Sequence, residues 1–277
     1  MSGPESISIP LTLALVAIAL VYVRGWSRRR GTSTHARYKR GLGVFLSGML
    51  VLWIALASPL ATADHARLTF HMLQHLLLMT IAAPLILLAQ PVAVLRQGLP
   101  DRFVDHLLTP VLRRLRRIGE VLTHPVSCWI AGTAVVIAWH IPPVFELGLH
   151  SHFWHSLQHG SFLAGGLLFW WPVIQPWPAI PKWPRWSMPL YLFFATLPCD
   201  ALSAFLAFCG RVIYSSHGAA AHASYAARLT DQELAGALMW AWVTFAYVIP
   251  AVVITIQLLY REVPSGARAE PVELARC

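Results

Sequence analysis

Long apolar runs recur along this chain, and its charges fall almost wholly between them. A helix needs about 20 mostly apolar residues to cross a bilayer. Segments near that length lie at roughly 7–23, 42–60, 68–90, 125–141, 153–174, 188–209 and 233–260. The sequence therefore predicts an all-α fold, a polytopic helical bundle with seven transmembrane helices. Only 12% of the residues are charged, where a soluble domain carries about 25%. Between the third and fourth runs, 101–118 places Phe103, Leu107, Leu108, Val111, Leu112 and Leu115 among Arg113, Arg114, Arg116 and Arg117. That pattern predicts an amphipathic helix on the membrane surface. Residues 1–260 form the expected membrane domain, and the polar tail 261–277 is expected to be disordered.

The positions of lysine and arginine set the orientation. The connections after the first, third and fifth runs, with the tail, hold 18 of the 21, leaving Arg67, Arg211 and Arg228 for the other side. The positive-inside rule then puts the N-terminus outside and the C-terminus in the cytoplasm, which an odd number of spans requires. The first run does not read as a cleavable signal, because its basic cluster follows the apolar stretch and Glu5 precedes it. The net charge of +9 reflects this topology. It implies lipid neighbours and no nucleic-acid partner.

Two copies of one pattern lie inside the spans: His71-Met-Leu-Gln-His75 and His155-Ser-Leu-Gln-His159. Residues four apart share one face of a helix, so each copy presents two imidazoles in one direction. Both spans run inward from the outer face, and the pairs fall at matching depth. Ionisable residues inside a membrane are costly and mark functional positions. Ten of the 13 histidines map to the outer half (His65, His71, His75, His140, His150, His152, His155, His159, His217 and His222). Imidazole suits copper, zinc, iron and nickel, and an outer-face cluster suits copper or zinc. His71, His75, His155 and His159 are the candidate metal ligands, with His140 a fifth, and Gln74 and Gln158 could orient the rings. Met72, Met79 and Met239 offer thioethers that favour Cu(I), although methionine in a membrane helix is more often packing. Helix-to-helix hydrogen bonding by the histidines is the structural alternative.

Other groups are less defined. His150 and His152 are expected in a short outer loop, and His217 and His222 in a longer one, where they could form an access route for metal. Asp200 follows Cys199 inside the sixth span and should need a histidine or arginine partner. Asp231 is expected to cap the start of the seventh span, with facing the histidines as the alternative. The four cysteines (Cys128, Cys199, Cys209 and Cys277) form no close pair, which argues against a thiolate zinc site or a disulfide framework. A zincin would need glutamate after the first histidine, where Met72 and Ser156 stand. The seventh span has no lysine for a retinal Schiff base. A b-type haem held by His75 and His159 remains the alternative cofactor.

Phe70-His71-Met72-Leu73-Gln74-His75-Leu76-Leu77-Leu78-Met79, followed by Ala83-Pro84, resembles the signature of the CtaG-type cytochrome c oxidase assembly factors. The likeness continues through Trp139-His140-Ile141-Pro142, His155–His159, Trp170-Trp171-Pro172, Asp231-Gln232 and Met239-Trp240, covering roughly 42–260. Leu85 stands where a second consecutive proline would be expected. The resemblance implies a seven-span, non-enzymatic protein of the bacterial cytoplasmic (inner) membrane. It further implies a role in maturing a terminal cytochrome oxidase, with the oxidase subunits and copper ion as partners. This family is distinct from the single-span, cysteine-using copper chaperones.

Overall fold

The computed structural model describes residues 8–28, 35–63, 67–104, 124–174, 183–214 and 224–262, with the isolated positions 106 and 109. All regular structure among the described residues is helical. The bundle is built from α1 (Ile9–Arg28), α2 (His35–Ala57), α3 (Leu68–Leu88), α4 (Pro91–Gly98), α5 (Pro125–His140), α6 (Pro142–His150), α7 (His152–Ile174), α8 (Ser187–Phe208) and α9 (Tyr225–Glu262). A helix thus lies over each of the apolar runs. By length and composition α1, α3, α8 and α9 can cross a membrane, and α5 with α6 makes a fifth span if that pair, bent by 78°, is counted as one. The apolar part of α2, Gly41–Ala57, falls short of that length. Helix α7 is long enough, but its first turns carry His152, His155, Gln158 and His159.

Helix α3 sits at the centre, with α2, α7 and α9 packed around it. Helix α8 runs along α9 and touches α5, α5 lies on α7, and α1 lies outside against α2 and α4. Of the apolar helices α3 is the most enclosed. That placement makes its polar residues tolerable, because they face protein and not lipid.

The middle of α3, Leu77–Ala82, is a π segment. In such a turn each N–H reaches a carbonyl five residues back, and Ala83 donates to Leu78 in this way. The next donor would be residue 84, aimed at Met79, but Pro84 has no N–H. The Trp170 indole of α7 supplies that hydrogen bond to the Met79 carbonyl at 3.0 Å. Thr80 donates to the Leu76 carbonyl at 2.7 Å and accepts from the Trp242 indole of α9 at 2.8 Å. Neighbouring helices therefore satisfy the irregular backbone.

At this level α3 and α7 touch closely: a Cβ on Gly166 would lie 2.9 Å from both the Cα and the carbonyl oxygen of Met79. From there the two helices diverge toward their first turns. At the other end of α3, Gln90 takes a left-handed conformation (φ 52°) that turns the chain into Pro91 and α4. The Tyr22 hydroxyl of α1 donates to the Ala89 carbonyl at 2.9 Å, with its ring stacked 3.7 Å from Phe45.

Several expectations are corrected. Helix α9 begins at Tyr225, so Asp231 lies inside it and does not cap its start. His150 ends α6 and His152 begins α7, so neither belongs to a loop of any length. Of the surface helix over 101–118, only Asp101–Phe103 and a few adjoining positions are described. The stretch 110–123, His65, His217, His222 and the tail from 263 lie outside the described residues.

Candidate functional site

Helices α3 and α7 begin the same way: each carries a histidine at its fourth residue and another one turn further on. Side by side and running in the same direction, they bring first histidine to first and second to second. The ring centroids of His71 and His155 are 6.2 Å apart, and those of His75 and His159 are 5.6 Å apart. Within each helix the two rings meet edge to face at 4.3 Å. The four imidazoles fill the wedge that opens as α3 and α7 diverge above Gly166. A four-imidazole site with metal–nitrogen bonds of about 2.0–2.1 Å would separate its ring centroids by roughly 5 Å, within this range. The rings nevertheless stand as edge-to-face pairs. Among the described residues no group of three or more His, Cys, Asp or Glu side chains is already arranged to hold a metal ion.

Burial increases across the cluster from the α7 pair to the α3 pair. His155 is partly exposed, His159 is 9% exposed, His75 5% and His71 0%. Phe145 of α6 meets His71 edge-on at 5.2 Å, and Phe162 of α7 stacks on His75 at 4.0 Å. Tyr214 packs on Phe145 at 4.2 Å and donates its hydroxyl to the His140 carbonyl at 2.8 Å. Burial pushes the Tyr214 phenol up, so it keeps the proton it donates. Neither ring nitrogen of His75 has a hydrogen-bond partner among the described residues. A buried imidazole of that kind is costly unless something binds it.

The two glutamines divide their roles. The Gln158 amide nitrogen lies 3.4 Å from Nε2 of His71, as expected of a ring-orienting neighbour. Gln74 turns away and donates to the Ala55 carbonyl of α2 at 2.7 Å, fixing α3 to α2 instead of touching a histidine. His140 is buried, with Nδ1 2.7 Å from the Val136 carbonyl. That bond leaves Nε2 as the free acceptor, with no partner among the described residues. Among the described residues no ring contact joins His140 to the four. Met72, Met79 and Met239 are buried packing residues, with the Met79 methyl turned toward Gly132.

Asp200 is only partly buried, and the Thr196 hydroxyl one turn before it donates to the Phe193 carbonyl at 2.9 Å. Among the described residues Oδ1 of Asp200 has no hydrogen bond, to the expected cationic partner or to any other group. Asp231 does cap a helix, but a different one. Its carboxylate accepts from the Leu68 N–H at 2.7 Å, the Thr69 N–H at 3.4 Å and the Thr69 hydroxyl at 2.6 Å. An acidic side chain on the free N–H groups of a first turn is favourable wherever in the chain it comes from. Phe145, Phe162 and Tyr214 were not legible as site residues, since an aromatic in an apolar run carries no positional signal.

The chain matches known proteins along most of its length. It is 25% identical over 257 residues to the uncharacterized proteins Mb0105 of Mycobacterium bovis and MT0111 of Mycobacterium tuberculosis, covering 87% of this chain and 37% of each relative. The uncharacterized protein ML1998 of Mycobacterium leprae is 23% identical over 262 residues, again over 37% of its length. The chain thus spans little more than a third of these relatives. No solved structure matches it. The profile of the cytochrome c oxidase caa3 assembly factors matches residues 20–261, and the chain belongs to that family.

Proposed function

We propose that this assembly factor receives copper at the histidine cluster of α3 and α7 and passes it to a subunit of a terminal oxidase. Copper is cargo in this reading, and no bond-making chemistry is required of the protein. The carrying observation is the in-register meeting of two identical histidine pairs, with facing ring centroids 5.6 and 6.2 Å apart. Neutral imidazoles bind copper, and ring rotations would turn the edge-to-face pairs toward one ion. The partly exposed His155 is the point of first capture, and the buried His71 and His75 complete the set. His140, with its acceptor nitrogen uncommitted, is the reserve ligand.

The membrane setting belongs to the same proposal. Seven spans, with the N-terminus outside and the C-terminus in the cytoplasm of a bacterial cell, put the cluster at the outer face of the cytoplasmic membrane. The distribution of lysine and arginine supports that orientation.

Metal content and visible absorption of the detergent-purified protein test the cargo, with wild type beside His71→Ala/His75→Ala. Near-stoichiometric copper in the wild type and its loss in the variant are expected. A Soret band lost with His75 would replace copper by b-type haem. A folded wild type that takes up neither would leave the histidines as helix-to-helix contacts of a scaffold.

A further inference from the structure

Asp231 and Gln232 are neighbours on α9, and among the described residues neither hydrogen-bonds to a histidine. Each nonetheless holds one wall of the histidine cluster. Asp231 caps the first turn of α3 through Leu68 and Thr69, just before His71. Gln232 is 1% exposed and holds the segment 209–213 through both ends of its amide. Its nitrogen donates to the Arg211 carbonyl at 2.9 Å, with the Cys209 sulfur at 3.2 Å, and its oxygen accepts from the Ile213 N–H at 2.7 Å. The next residue is Tyr214, which reaches the His140 carbonyl and covers Phe145, and Phe145 in turn abuts His71.

We infer that Asp231 and Gln232 are positioning residues for the metal site, a role that rests on the copper reading above. Asp231 sets the height and rotation of the His71–His75 pair against the α7 pair. Without its carboxylate, the Leu68 and Thr69 N–H groups lose their acceptor and the first turn of α3 is free to fray. His155 and His159, on α7, do not depend on it. Gln232 acts on the opposite wall. It seats Tyr214, which keeps Phe145 against His71 and fixes the backbone of His140. One turn of α9 thereby sets both the spacing of the two pairs and the closure over them.

The distinguishing experiment is Cu(II) titration of the full-length purified protein, followed by electron paramagnetic resonance. Asp231→Ala should lose about 10- to 100-fold in affinity, the range for removing groups that orient ligands. Its nitrogen ligation should fall from both pairs to the α7 pair alone. Thr69→Val, which leaves the Leu68 contact in place, should lose less, and Asp231→Asn should recover part of the affinity. Gln232→Ala should keep the ligand count while releasing copper faster. Unchanged affinity and spectrum in a well-folded Asp231→Ala would overturn the inference.

A second readout needs no metal: modification of His71 and His75 by diethyl pyrocarbonate, located by mass spectrometry. Both should be protected in the wild type and should react in Asp231→Ala. If the wild type binds no copper, the copper reading fails. The positioning of α3 by Asp231 then stands if reactivity rises and falls if it does not.

Discussion

At the scale of single residues, burial and hydrogen bonding separate side chains that the sequence treats alike. Gln74 and Gln158 occupy the same slot of the same pattern, yet one anchors α3 to the Ala55 carbonyl and the other meets the His71 ring. Gln74→Ala leaves that carbonyl unpaired in a buried setting and should destabilise the protein by about 1–2 kcal/mol. His75→Ala should cost more. It empties a buried ring position stacked on Phe162, and the cavity left by such a truncation costs about 2–5 kcal/mol, offset only in part by the loss of two buried nitrogens that have no partner among the described residues. Denaturation of both variants in one detergent checks this, and a smaller loss for His75→Ala than for Gln74→Ala would contradict it. The histidine pairing was readable because spacing of four is a property of the helix itself. The carboxylate that caps α3 was not, since 162 residues separate Asp231 from Thr69.

At the scale of elements, the irregularity of α3 is its defining property. The π segment lies between His75 and Pro84, and Trp170 provides the donor that Pro84 cannot. Trp170→Phe should cost about 1–2 kcal/mol by leaving the Met79 carbonyl unpaired. The same change in a Pro84→Ala background should cost less, because alanine at that position brings an N–H of its own. A coupling on the order of 1 kcal/mol is expected from this cycle, and equal costs in the two backgrounds would rule the compensation out. Helix positions were legible from apolar length alone. The π segment was not, because it follows from a proline and from an indole on another helix. The turn into α6 was also missed: Pro142-Pro143 reads as an end, whereas proline equally suits the first turn of a new helix.

At the scale of the whole molecule, topology carries a direct test. In a variant free of native cysteines, His152→Cys should react with a membrane-impermeant maleimide on intact cells, and Asp101→Cys only after lysis. Both positions are exposed. Labelling of Asp101→Cys on intact cells would reverse the orientation. The charge distribution carries an expectation of which ends share a side, but not of how the helices neighbour one another, because side chains facing lipid and side chains facing protein are equally apolar. The enclosure of α3 was therefore visible only in the packing. The difference in exposure between His155 on α7 and His71 facing it on α3 also bears on traffic. Below the cluster α3 and α7 close on each other at Gly166, so on the copper reading filling and emptying would both use the partly exposed side at His155. A donor and an acceptor would then take turns at the same doorway, and on that reading an excess of unloaded donor should slow delivery by standing in it.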